Sequence, residues 1–552
     1  MGSIIEREDF QKEIDNNFWL AITKKVWYKD IVLNSDLQKG KVVNDIVDQL
    51  INFEYNFKTP LYYFVPKGKG VLRTIKVFNI HDLCIYYYCV KKLQNELTVK
   101  IRENQNVFGG FKFSHDNQSI TQKKIRQQKE EICNLDWYDY EYETFLSKYQ
   151  FRKEWTDYQN LAKEAFEEGF DFYIHIDIAH FYDDINLDIL EKEIRNTVSD
   201  KTQIIDLLLH FLRLSDKRDL GYTTTNVGIP QEEIGEMSRV LANFYLVNYD
   251  NKIINFLNEY LGEGKYEYLR YSDDMWIFYN GDKFDAYKIV QQASLYLNNL
   301  KLHVNESKIK ILNSKEFNQY WHFDTWDIIH SNSTNTQTIL NIFKDTLKNG
   351  QGRRDSIVKY TLKLLLSEQK KLKYSFSKND LRHMVLTIIK NPSLVDSFDD
   401  DQIKVIAKIV KDDKVLLNQL KTYLLAKNNI FLNVEFFIIK IFTEIESDIE
   451  LANFLIKFLT PKNASRHWYS KCLCIKFFIK HQTLIDRYTY LQAKIITVLE
   501  ANIALICNRI ERRHFIFYLY KNGGSGGNLL LNKLFEKPGD LAFINFINKN
   551  NL

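Results

Sequence analysis

Residues 266–280 read YEYLRYSDDMWIFYN, and this stretch constrains the fold more than any other. Two aromatic-rich strands flank Ser272-Asp273-Asp274, the signature of a hairpin with two carboxylates at its tip. A second segment complements it. FYIHIDI (172–178) alternates strictly, with Ile174, Ile176 and Ile178 on one face and Tyr173, His175 and Asp177 on the other. The spacing predicts a half-buried strand with Asp177 near its end. Two-metal phosphoryl transfer needs carboxylates from separate segments that hold two divalent ions about 3.5–4 Å apart. Mg²⁺ prefers such hard oxygens, with Mn²⁺ as the alternative. Adjacent strands would place Asp177 and Asp273 on one sheet face. Alternation turns Asp274 to the opposite side, as a weaker or outer ligand.

Around these strands the chain organises itself coarsely. Residues 1–60 read as helices, for example DFQKEIDNNFWLAITKKVW, and 61–79 as two short strands around a basic Gly turn. Residues 81–97 read as a helix, NVFGGFKFS (106–114) as a Gly-containing loop, and 115–170 as mostly helical. Helices are expected near 186–214, 236–258 and 283–300, with a strand pair near 302–313. SNSTNT (331–336) is the best linker. Beyond it, 340–552 is nearly all helical, with apolar residues at three- and four-residue spacing but no strict period. A helical-repeat array is expected there, interrupted by a flexible GGSGG loop at 523–527. The fold class is therefore α+β followed by an all-α domain. The expected boundaries are 1–130, 131–335 and 336–552.

Charge is uneven: −2 over 1–60, +8 over 61–130, −16 over 131–340 and +14 over 341–552, for a total of +4. This fits either an uneven solvated surface or an acidic metal-binding centre flanked by surfaces for polyanions. Six Cys without a CxxC pair argue against a disulfide framework. No apolar run approaches the ~20 residues of a membrane span, and MGSIIEREDF is not a secretory leader. The expectation is a soluble protein of a reducing compartment.

The order of several motifs resembles the reverse transcriptase family over roughly residues 55–325. HIDIAHFYDDI resembles motif A, with Asp177 as first metal ligand and Tyr182 where the family carries the aromatic that excludes a ribose 2′-hydroxyl. GIPQ (228–231), Ser238 and LANFYL (241–246) resemble motif B, with Gln231 positioning the nucleotide or its partner base. YSDD (271–274) resembles motif C. LKLHVNESKIKI resembles motif D, with Lys308 as its basic residue. VPKGKGVLRTIKV resembles the fingers motif, with Lys67, Lys69 and Arg73 for the triphosphate, and NVFGGFKFS resembles the next fingers element. The resemblance implies a right-hand fingers–palm core that adds dNTPs to a DNA product with two Mg²⁺ ions. Catalysis and metal binding would fall to Asp177, Asp273 and Asp274.

Motif B departs from the pattern, because Glu232 follows Gln231 and Ser238 arrives about two residues late. Glu232, Glu233 and Glu236 either cap the following helix or alter template binding, for example by accepting from cytosine N4. The large helical C-terminal domain resembles prokaryotic antiphage reverse transcriptases of the abortive-infection type, such as AbiA and AbiK. That branch implies a bacterial cytoplasmic setting, homo-oligomers, a noncoding RNA or companion defence protein, and protein or RNA priming with an unusual or absent template. The alternative from another class is a non-catalytic RNA- or phage-protein-binding scaffold with a vestigial palm. Arg509 and His514 have RxxxxH nuclease spacing, but Ile510 stands where a polar residue belongs, so a structural role is expected. Tyr86–Tyr88, Cys472 and Cys474 read as core, and His175 as a packed, hydrogen-bonded residue.

Overall fold

The computed structural model describes residues 5–16, 18–19, 22, 28, 31, 39–68, 70–110, 148–215, 226–232, 235–332, 335–349, 354–371, 375–426, 431–446, 448–460, 466–534 and 538–549. Strands β1 (Leu61–Gly68) and β2 (Val71–Val77) form an antiparallel hairpin. It pairs Tyr63 with Ile75 and Val65 with Arg73, and its register shifts between Pro66 and Gly68. Strands β3 (Val107–Phe108), β4 (Phe172–Ala179), β5 (Tyr266–Tyr271), β6 (Asp274–Tyr279), β7 (His303–Val304) and β8 (Lys310–Leu312) build the central sheet. Its order is β3-β5-β6-β4-β7, with β8 also on β4. Only β3–β5 is parallel.

The expected strand pair at 302–313 does not form as a pair. Both segments lie along β4 instead, with Ile178 opposite Val304 and Ile174 opposite Ile311. Strand β6 takes one edge of β4, so the backbone groups of its other edge need partners, and β7 and β8 supply them. Both sheet faces are covered. Ile174, Ile176 and Ile178 point into a core shared with helices Ile80–Ile101, Glu236–Tyr245 and Lys283–Asn299. Tyr86, Tyr87 and Tyr88 are buried in that core. Asn79 caps the first of these helices by accepting from the backbone of His81 and Asp82. The opposite face is aromatic. Tyr173, Trp276 and Phe278 pack with Tyr158, Phe317 and Trp321 from helices Lys148–Glu168 and Ser314–Trp321.

The helix expected at 186–214 is two helices, Leu187–Thr197 and Thr202–Leu214. The one expected at 236–258 is also two, meeting at Leu246. Helix Phe323–Ser331 turns into helix Thr336–Asn349, with Asn335 N–H on the Asn332 carbonyl at 2.8 Å. Ile329, ahead of that turn, already belongs to the C-terminal core.

That core is a stack of helix pairs. The first members are Arg354–Lys371, Asp400–Asp412, Leu432–Glu444, Trp468–Lys480 and Arg509–Asn522, and each packs on the next. Between them in the chain lie Lys378–Lys390, Lys414–Leu425, Ile449–Leu459, Thr489–Ile503 and Gly524–Leu534, and the last four of these also pack one on the next. The pairs recur at unequal intervals, which is why the sequence shows no strict period. GGSGG is not a flexible loop, since helix Gly524–Leu534 begins within it. A Cβ at Gly527 would meet the Leu519 carbonyl oxygen at 2.8 Å, so glycine there permits close helix approach. Cys472 and Cys474 are buried in this core. Among the described residues no helix is long and apolar enough to cross a membrane.

Candidate active site

Strands β4, β5 and β6 bring the three carboxylates into one neighbourhood. Asp177 lies opposite Asp274 across β4–β6, and Asp273 occupies the tip between β5 and β6. Ser272 opens that tip in the left-handed region at φ 57°. Its N–H donates to the Phe108 carbonyl at 3.0 Å, tying the turn to the glycine loop after β3. Gly109 and Gly110 both adopt positive φ there, and a Cβ at Gly109 would meet Ser272 N at 2.8 Å. Glu154, from the helix below, accepts from the N–H groups of Gly109 (2.8 Å) and Gly110 (2.7 Å).

Each acid has a different environment. Asp273 is half-buried, and its pKa is pushed up to about 6. Burial is the larger cause and the charge of Asp177 the next; its own backbone N–H and Arg73 act in the other direction. Lys308 Nζ sits 2.9 Å from both oxygens of Asp177, and Asn305 Nδ2 donates to one of them at 3.2 Å. Asp274, in register with Asp177, shares its sheet face, contrary to the alternation expectation, because directly opposed residues of an antiparallel pair point the same way. His175 Nε2 bonds one of its oxygens and Tyr158 donates to the other at 2.9 Å. His175 Nδ1 reaches the Lys308 carbonyl at 3.1 Å, so the imidazole joins three motif segments. The three acids therefore do not form one cage. Among the described residues no group of three His, Cys, Asp or Glu side chains has metal-holding proportions. Asp177 and Asp273 alone, as hard oxygens crowded by like charge, fit Mg²⁺, which takes few carboxylates and keeps several waters.

Lys67 and Arg73 of the fingers hairpin interact electrostatically with Asp273. Lys67, beside the β1 bulge, has its pKa lowered by burial first and by Arg73 and Lys308 next, against the pull of Asp273 and Asp183. Arg73 acts on Asp273 from β2. Lys69 lies outside the described residues. Tyr182 hydrogen-bonds Ser272 and lies in the field of Arg239, Asp273 and Glu232; burial raises its pKa. The Gln231 carbonyl accepts from Lys76 N–H at 2.7 Å, which fixes the start of motif B to β2.

Ser238 faces inward to Tyr86 and the Pro230 carbonyl rather than to the acids. Glu232 is buried. Its Oε2 accepts from Gly235 N–H at 2.8 Å, its Oε1 has no hydrogen-bond partner among the described residues, and burial pushes its pKa to about 7 against Arg239. Glu233 is outside the described residues, and Glu236 opens helix Glu236–Tyr245. Arg509 is exposed, whereas His514 is buried with Nδ1 on the Ile510 carbonyl at 2.8 Å, so they present no joint surface for catalysis.

Sequence reasoning missed the network under the turn. Arg270 and Asp250 are both buried. Arg270 donates bidentately to Asp250 (2.8 and 2.6 Å), and also to Asn243 Oδ1 (2.8 Å) and the Ser272 carbonyl (2.9 Å). Asn243 continues to the Gly110 carbonyl at 2.8 Å. The available signal was a lone charge inside an aromatic strand two residues before the acidic tip, since a buried charge demands a partner.

Residues 65–323 match the family described as reverse transcriptase (RNA-dependent DNA polymerase). A putative COX1/OXI3 intron 1 protein of Saccharomyces cerevisiae is 25% identical over 190 residues, covering 26% of this chain. The chain spans only 22% of that relative's length. Among solved structures, apo telomerase from Candida tropicalis is 11% identical (72% of this chain, 73% of that one, TM-score 0.31). Telomerase from Candida albicans in complex with a fragment of telomeric RNA is also 11% identical (65% and 62%, TM-score 0.33). The matched segment contains β2 through β8 and every acid described above.

Proposed function

We propose that this reverse transcriptase-like domain is a working DNA polymerase that adds dNTPs to a growing strand and serves antiphage defence. The observation that carries the reading is Asp273. It sits at a hairpin tip between the like charge of Asp177 and the cations Lys67 and Arg73, an arrangement that suits metal ions and a triphosphate together. Asp177 and Asp273 would hold Mg²⁺, which when bound supplies activation of a 3′-hydroxyl and charge neutralisation at the transferring phosphate. Lys67 and Arg73 bind the triphosphate. Lys308 releases Asp177 and turns to the phosphates. Tyr182 closes the pocket beneath the sugar and disfavours a 2′-hydroxyl, and Gln231 positions the base. Asp274 acts by holding His175 and Tyr158.

The defence role rests on the polymerase core being followed by a helical array, the arrangement that resembles abortive-infection enzymes. Protein or RNA priming, a noncoding RNA, a companion protein and homo-oligomers belong to the same reading. Lys308 across both oxygens of Asp177 favours the alternative, a palm retained for binding alone. One experiment separates them. Full-length protein with Mg²⁺ receives each labelled dNTP singly and mixed, with and without co-purified RNA, and phage plating is scored in parallel. Incorporation and protection that are both lost in Asp273→Asn support the polymerase. Protection that survives Asp273→Asn supports the scaffold.

A further inference from the structure

The fingers hairpin is held from outside the polymerase core. On one face of its base, Leu61, Tyr63, Val65, Ile75 and Val77 pack into the core of the C-terminal helices. Tyr63 donates to Asp396 at 2.8 Å, and Asn433 Nδ2 donates to the other Asp396 oxygen at 3.0 Å and to the Pro392 carbonyl at 2.8 Å. Tyr28 donates to the Tyr62 carbonyl at 2.7 Å, and its ring lies 4.6 Å from Trp468 and 4.9 Å from Tyr469. Arg73 pairs with Val65 across the strands and so continues the same face toward the carboxylates. Four residues of strand, about 13 Å, separate the gripped Tyr63 from Lys67.

We infer that Tyr63 and Asp396 are positioning residues for nucleotide binding: the helical array fixes the hairpin's base and thereby aims Lys67 and Arg73 at the acids. The helical array is then part of the nucleotide site. This rests on the polymerase reading above. Losing a buried hydrogen bond to a charged group weakens the aim by about tenfold in affinity.

The test uses the full chain and equilibrium dialysis of radiolabelled dTTP with Ca²⁺, which needs no turnover, together with thermal midpoints. Tyr63→Phe and Asp396→Asn are each expected to raise the dTTP Kd about tenfold. In a Lys67→Ala/Arg73→Ala background, Tyr63→Phe is expected to add less than twofold, a result that general destabilisation does not produce. If Asp396→Asn fails to fold, the conservative Tyr63→Phe decides. A Tyr63→Phe Kd within twofold of wild type, or its full effect persisting in Lys67→Ala/Arg73→Ala, overturns the brace and leaves the polymerase reading standing. Wild-type protein that binds no dNTP overturns both.

Discussion

Replacing Arg270 by Met removes the cation beneath the acidic turn while nearly keeping its volume. Asp250 then stays buried with Tyr268, at 2.7 Å, as its remaining described hydrogen-bond partner. Breaking a buried ion pair by deleting one partner costs about 3–5 kcal/mol, because the other charge is left uncompensated. Arg270→Met is expected in that range. Replacing both members with apolar residues removes the stranded charge, so Arg270→Met/Asp250→Leu should lose clearly less than the sum of the two singles. Urea unfolding of wild type, both singles and the double completes the cycle. The Arg270 guanidinium also holds the Ser272 carbonyl, so the double variant should regain stability without regaining incorporation. A single variant that loses under about 1 kcal/mol, or a double that equals the sum, refutes the claim that this pair anchors the turn.

Asp273→Asn should cut incorporation by at least about 10³-fold, the equivalent of several kcal/mol of lost charge stabilisation, with folding retained. Asp274→Asn should cut it less and should instead loosen His175, visible as a change in the NMR chemical shifts of its ring protons. Glu232 has a raised folded pKa near 7, so its stabilising contribution is present below about pH 4.5 and lost as pH rises through 7. Glu232→Gln should therefore match wild type near pH 4.5 and exceed it at pH 8 by up to about 3 kcal/mol, as measured by thermal midpoints; a gap that does not grow with pH contradicts the assignment. Tyr182→Ala should improve rNTP use relative to dNTP use, as read from paired incorporation rates.

The parts legible in the sequence were those with short-range signals. Alternation in FYIHIDI and the aromatic arms around Ser272 mark β4, β5 and β6, because a pleated strand sorts its side chains with period two. Contacts between distant segments were hidden. The pairing of Lys308 with Asp177 spans 131 positions, and that of His175 with Asp274 spans 99. Nothing local announces either. Strands β7 and β8 looked like mutual partners because they are close in sequence, but β4 offered a free edge. GGSGG looked like a loop because glycine disfavours helix, yet close packing on Leu519 outweighs that propensity.

The unequal intervals of the C-terminal pairs, which open at Arg354, Asp400, Leu432, Trp468 and Arg509, bear on how such a protein can change. A regular solenoid grows or shrinks by whole modules, since every joint accepts every neighbour. Here each joint is cut for one neighbour, so copying a pair in place creates two mismatched seams. This half of the molecule should vary by point substitution within a fixed number of pairs rather than by gaining or losing them.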